Sequence, residues 1–200
     1  MSRILSLFRE RLSEKLIVNE IQERNDKRNQ ILKITFGREQ EDFVIIRQEN
    51  DNKPNYSFFK HENNEESLKT TSSCDFIMIM DSKNIIEIAF VECKSNTDDY
   101  EKAAHQINFS ILWFSYLFEC YCHCFKINDE EKTKWETAIK SARKYLIYPA
   151  TNATKTKSFT HNSVDCITKR CQKLGVTPLP QQLLSNKQIH IDNPKNAFFA

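Results

Sequence analysis

Ile4, Leu5, Phe8, Leu12 and Leu16 recur at helical spacing, with Arg9, Arg11, Glu14 and Lys15 between them. That stripe predicts an amphipathic helix from Ser2 to about Arg28, ended by Asn25, Asp26 and Asn29. Two short apolar runs follow, Ile31 to Phe36, closed by Gly37, and Phe43 to Ile46; both read as strands. Gln48 to Thr71 is polar, contains Pro54, and reads as a long loop. Asp75 to Met80 and Ile85 to Cys93 are the clearest strand signals, with a turn over 81–84.

Asn96 or Thr97 then caps a long helix reaching about Tyr121. Asp98, Asp99 and Glu101 stand where the helix dipole favours acids. Its buried stripe is Ile107, Ile111, Phe114, Phe118 and Tyr121. A helix over about Glu130 to Lys140 and a strand over Tyr145 to Tyr148 come next. Thr151 to His161 reads as a loop, Ser163 to Lys173 as a short helix stopped by Gly175, and Gln188 to Asp192 as a last strand. No internal repeat is visible. This order predicts an α/β fold, a central mixed β-sheet flanked by helices. It fits one domain over 1–200, with a core of about 1–150 and a C-terminal helical, basic extension over about 151–200.

Composition narrows the chemistry. The chain has 200 residues, 40% hydrophobic and 28% charged, with 29 Lys+Arg against 27 Asp+Glu, so it carries one sizeable core and no strong overall charge. It has only two glycines, Gly37 and Gly175; average usage would give roughly 14. Phosphate-cradling P-loops, dinucleotide-binding turns and nucleophile elbows need at least two glycines close together, so those chemistries are excluded. Seven cysteines, an odd number, with no apolar leader segment, read as reduced thiols in a cytoplasmic protein. The longest apolar run, Ile107 to Phe118, is broken by Asn108, Ser110 and Ser115 and is too short for a membrane span.

The two central strands carry a chemical signal. Strand side chains alternate faces, so Asp75, Ile77, Ile79 and Asp81 share one face, and Ile86, Ile88, Phe90, Glu92 and Lys94 share another. With an even-numbered loop over 82–83 or 81–84, paired residues sum to 165, so Ile79 faces Ile86 and Asp75 faces Phe90. Glu92 then lies diagonal to Asp75 on the same side. One sheet face is apolar and ends in two carboxylates and a lysine. Carboxylates converging at an apolar rim repel each other, and a divalent cation relieves that conflict. Mg²⁺ takes one or two carboxylates and keeps waters for a substrate phosphate. An ammonium beside the ion can orient a water or steady the charge of a pentacovalent phosphate.

Asp75, sixteen intervening residues, then Glu92-Cys93-Lys94 on adjacent strands before a helix resembles the PD-(D/E)xK nuclease superfamily. The resemblance is good over about 75–120, and Cys74 stands where that family's naming proline would be. It implies a restriction-endonuclease-like core and an Mg²⁺- or Mn²⁺-dependent endonuclease. Asp75 and Glu92 would hold the metal with the Cys93 carbonyl, Lys94 would assist the attacking water, and Gln106 on the following helix would be an accessory contact. The tyrosine that one subgroup places four residues after this glutamine is Ser110 here. For an acid on the first helix, Glu14 and Glu20 compete. The resemblance favours DNA over RNA as the nucleic-acid partner and implies a role in restriction, phage defence or repair, alone, as a homodimer or with a partner protein. The alternative is an inactive nuclease-fold subunit that binds nucleic acid or protein.

Other residues give weaker signals. Cys120, Cys122 and Cys124, with Cys166 and Cys171, do not have the usual spacing of zinc knuckles and read as buried or idle thiols. His105 and His161 have no nucleophile in a known order beside them. Lys132 to Lys173 holds ten basic residues and two acids, a surface suited to phosphate contact or simply solvated.

Overall fold

A computed structural model describes residues 3–22, 31, 33–37, 43–48, 73–82, 85–94, 100–149, 168–184 and 186–200. The chain runs α1 (Arg3–Arg11), β1 (Glu20–Gln22), β2 (Lys33–Phe36), β3 (Phe43–Ile46), β4 (Phe76–Ser82), β5 (Ile85–Cys93), α2 (Tyr100–Phe125), α3 (Asp129–Lys140), β6 (Arg143–Pro149), β7 (Thr177–Gln181), β8 (Gln188–Ile191) and α4 (Pro194–Phe199). The fold is mixed α/β, with a central five-stranded sheet of order β3-β4-β5-β6-β7 and a smaller sheet of order β1-β2-β8. β3, β4 and β5 are antiparallel neighbours, whereas β6 joins β5 and β7 joins β6 in parallel. The parallel step from β5 to β6 needs a crossover, and α2 and α3 provide it.

Both faces of the central strands are covered, which is why they read as nearly unbroken apolar runs. On one face Ile77, Ile79, Ile86, Ile88 and Phe90 pack against Leu5 and Phe8 of α1, Ile107, Phe114 and Phe118 of α2, and Trp135 of α3. Trp135 is fully buried, with ring centroids of Phe8 and Phe118 at 4.6 and 5.5 Å. On the other face Phe76, Met78, Met80, Ala89 and Val91 meet Ile21, Ile34, Ile189 and Ile191 of the small sheet and Phe198 of α4. α3 starts at the Asn128 N-cap, whose side chain accepts from the Glu131 amide, and carries three acids in its first turn.

Several elements differ from expectation. The first helix ends at Arg11, not near Arg28. Ile17 and Val18 are β-branched, and they pair with β3 instead: Ile17 bridges Ile46, and the Val18 amide donates to Ile45. Residues 23–30 lie outside the described part. α2 continues to Phe125, a full turn past Tyr121, and its expected cap at Asn96 or Thr97 lies outside the described residues. So do most of the loop expected over 48–71, all of that over 151–161, and Ser163 to Ile167 of the later helix, of which 168–173 are helical. Gly175 has φ +66°, the left-handed conformation that ends a helix.

β7 was not expected, because its sequence Thr-Pro-Leu-Pro-Gln holds two prolines. It is an edge strand, where prolines are tolerated. α4 was also missed, although Asn193 caps it and Pro194 begins it. The strands predicted around residues 34 and 189 both form, but they pair with each other in the second sheet.

Candidate metal centre at the end of the central strands

β4 and β5 pair in a register whose partners sum to 167: Ile79 faces Ile88, Ile77 faces Phe90, and Phe76 faces Val91. The expected register of 165 is therefore shifted by two. Asp81 and Ser82 belong to the strand, not the turn. A shift of two keeps every side chain on its face, so the apolar pattern cannot distinguish the two registers. Continued by one pair, the observed register sets Asp75 opposite Glu92 rather than diagonal to it.

At that end the strands part, and side chains replace the ladder. The Cys93 amide donates to Asp75 Oδ2 at 2.6 Å. A strand residue turns its N–H and C=O toward the same neighbour, so the Cys93 carbonyl is on Asp75's side. The Lys94 amide bonds the other way, to the Ile147 carbonyl of β6. Glu92 continues the row of Ile86, Ile88 and Phe90 facing the helices, and its side chain is only 2% exposed. Lys94 Nζ reaches Glu92 Oε1 at 2.5 Å and Gln106 Oε1 at 2.7 Å.

Gln106 comes from α2, in a stretch where Ala103, Ala104 and Ile107 are buried against the sheet. Two alanines in that stretch keep the contact thin, and the glutamine side chain spans the remaining distance. Its Nε2 donates to the Ser73 carbonyl at 3.0 Å. Ser110, one turn later on the same helix face, accepts the Cys74 amide at 2.8 Å and reaches Gln48 Oε1 at 3.3 Å. Burial pushes the Cys74 thiol far above its ordinary range; the Ser110 hydrogen bond opposes this, and the charges of Glu92 and Asp75 reinforce it.

The structure thus brings Asp75, Glu92, Cys93, Lys94 and Gln106 to one end of the sheet. Glu14 is exposed in a turn beyond α1, and Glu20 lies in β1, paired with Lys33 at 2.6 Å. Ser73 and Cys74, which take part through backbone atoms, and Ser110, whose hydroxyl accepts the Cys74 amide, were not assigned a role from sequence. A serine on a buried helix stripe was the only available signal.

Two carboxylates and a backbone carbonyl are hard oxygens that could hold a hard divalent cation keeping several waters. Among the described residues no three His, Cys, Asp or Glu side chains gather as a metal cage. The cysteines of α2 are free, with Cys120 and Cys122 half-buried and Cys124 exposed, and Cys166 lies outside the described residues. His105 is exposed on α2, and His161 lies outside the described residues. Among the described residues no helix is long and apolar enough to cross a membrane. No family model, curated protein or solved structure matches the chain.

Proposed function

We propose that the protein is a metal-dependent nuclease of the PD-(D/E)xK type, hydrolysing phosphodiester bonds, with DNA as the first substrate to test and RNA the second. One observation carries the reading: a buried Glu92 bonded to Lys94, Lys94 bonded to Gln106, and Asp75 tied to the Cys93 amide, all at one strand end. The element order supports it. The antiparallel β3–β4–β5, a crossover through α2 and α3, and the parallel β6 set Glu92 on β5 and Asp75 just before β4.

Asp75, Glu92 and the Cys93 carbonyl would hold Mg²⁺ or Mn²⁺. Bound there, the cation supplies Lewis-acid polarisation of the phosphate and lowers the pKa of a ligated water. Lys94 is 14% exposed, so its ammonium sits at the border between the buried carboxylate and solvent. From there it can donate to an attacking water and to the oxygen that gains charge in the pentacovalent state. Gln106 limits the freedom of that ammonium by accepting one of its hydrogens, and its second bond to Ser73 fixes the amide's orientation.

A second reading keeps the fold and drops the reaction. The Lys94–Glu92 pair neutralises the buried carboxylate without a cation, as it would in a subunit that binds nucleic acid or protein and does not cut. Incubation of the full chain with plasmid, single-stranded DNA and RNA in Mg²⁺, Mn²⁺ or EDTA separates the two. Cutting that needs the metal and disappears in Lys94→Ala supports the nuclease; binding without cutting, unaffected by that change, supports the subunit.

A further inference from the structure

Gln106 and Ser110 stand one helical turn apart on α2, and their bonds converge on a single peptide unit. Gln106 Nε2 donates to the Ser73 carbonyl, and Ser110 Oγ accepts from the Cys74 amide. Those two atoms are the C=O and N–H of one planar group. Asp75 is the next residue along the chain. Beyond Phe76 the β4–β5 ladder no longer holds this segment, so α2 replaces it. The clamp is dry: Ser73, Cys74 and Ser110 are all buried, with Ser110 fully so. In such surroundings an unpaired amide is costly, so the peptide cannot rotate without losing a partner.

We propose that Ser110 is a positioning residue, which together with Gln106 locks the 73–74 peptide so that the Asp75 carboxylate points at the Cys93 amide and the candidate metal position. The same hydroxyl reaches Gln48, just past β3, so helix, edge strand and β4 meet at this serine. The sulfhydryl of Cys74 turns inward to the Phe76 carbonyl, which leaves the 73–74 peptide as the exit from the strand. For its catalytic consequence the assignment rests on the nuclease reading; for its geometry it does not.

Amide exchange followed by NMR on the full chain tests it. Cys93 and Lys94 are neighbours, but only the Cys93 amide depends on Asp75, because Lys94 bonds to Ile147. In Ser110→Ala, the Cys93 amide is expected to exchange about tenfold faster relative to Lys94. Gln106→Met, which cuts the other end of the same peptide, is expected to move the ratio the same way and serves if Ser110→Ala does not fold. Adding Cys74→Pro to Ser110→Ala removes the stranded N–H and is expected to recover stability. An unchanged Cys93 to Lys94 ratio in both single variants overturns the assignment. In the cleavage assay Ser110→Ala is expected to lower kcat about tenfold and raise the Mn²⁺ needed for half-maximal rate, with KM for the nucleic acid unchanged. Should the wild-type chain not cut, the nuclease reading fails, while the exchange ratio still decides the clamp.

Discussion

Replacing Lys94 by Met probes the buried end of the site. The change keeps the length of the side chain and deletes its charge. Glu92 is 2% exposed and its Oε1 accepts the ammonium at 2.5 Å, so the variant leaves a carboxylate in a dry place without that cation. Breaking a buried pair from one side costs about 3–5 kcal/mol; because Lys94 is 14% exposed and water can reach the gap, the low end, about 3 kcal/mol, is expected. Glu92→Gln in the same background removes the stranded charge and should return about 2 kcal/mol of it. On the proposed nuclease reading, a divalent cation would act on the same carboxylate. At a free Mn²⁺ concentration about a hundred times its dissociation constant, linkage adds about 2.7 kcal/mol, nearly enough to bring Lys94→Met back to the wild-type value in EDTA. Urea unfolding followed by tryptophan fluorescence, with and without Mn²⁺, measures all of this, provided m stays constant across the variants. A Lys94→Met protein as stable as wild type in EDTA, with no shift in Mn²⁺, would mean that Glu92 is not left as a stranded buried charge.

Three further outcomes are expected. Gly37→Ala should destabilise the small sheet by at least about 2 kcal/mol in thermal or urea unfolding, because its Cβ would come within 2.1 Å of the Asp192 carbonyl, which is rigid backbone. Trp135→Ala should cost about 3–5 kcal/mol, but Trp135→Phe much less. The indole N–H is buried with no acceptor among the described residues, so deleting it offsets lost volume. The Cys74 thiol is raised in the native protein, chiefly by burial, so the unfolded chain loses that proton first. Stability should therefore fall as pH rises through about 9, by at most about 1.4 kcal/mol per unit for this thiol, and Cys74→Ala should flatten that slope.

Much of the site was legible because strands report their faces with a period of two. Glu92 and Lys94 were assigned to one face from spacing, whereas Gln106 on the following helix was singled out by the family resemblance. The register was not legible, since a slip of two leaves the pattern of Ile77, Ile79, Ile86 and Ile88 unchanged. The peptide clamp was hidden for a different reason: Ser73 and Cys74 take part through backbone atoms, which every residue has. In the fold, the helical stripe of Ile4 to Leu16 ran on in sequence past the point where Ile17 and Val18 find strand partners. The second sheet escaped because β2 and β8 are separated by most of the chain, and local pattern says nothing of such pairing. Pro178 and Pro180 masked β7 by the rule that fails only at a sheet edge.

The proposed nuclease chemistry needs Asp75, Glu92 and the Cys93 carbonyl to form one cation site. Crystals of the full chain soaked in Mn²⁺ test it through anomalous scattering. A single strong peak in contact with both carboxylates and that carbonyl is expected, absent in Asp75→Ala. Density showing Glu92 still paired to Lys94, with no Mn²⁺ beside it at millimolar concentration, would contradict it.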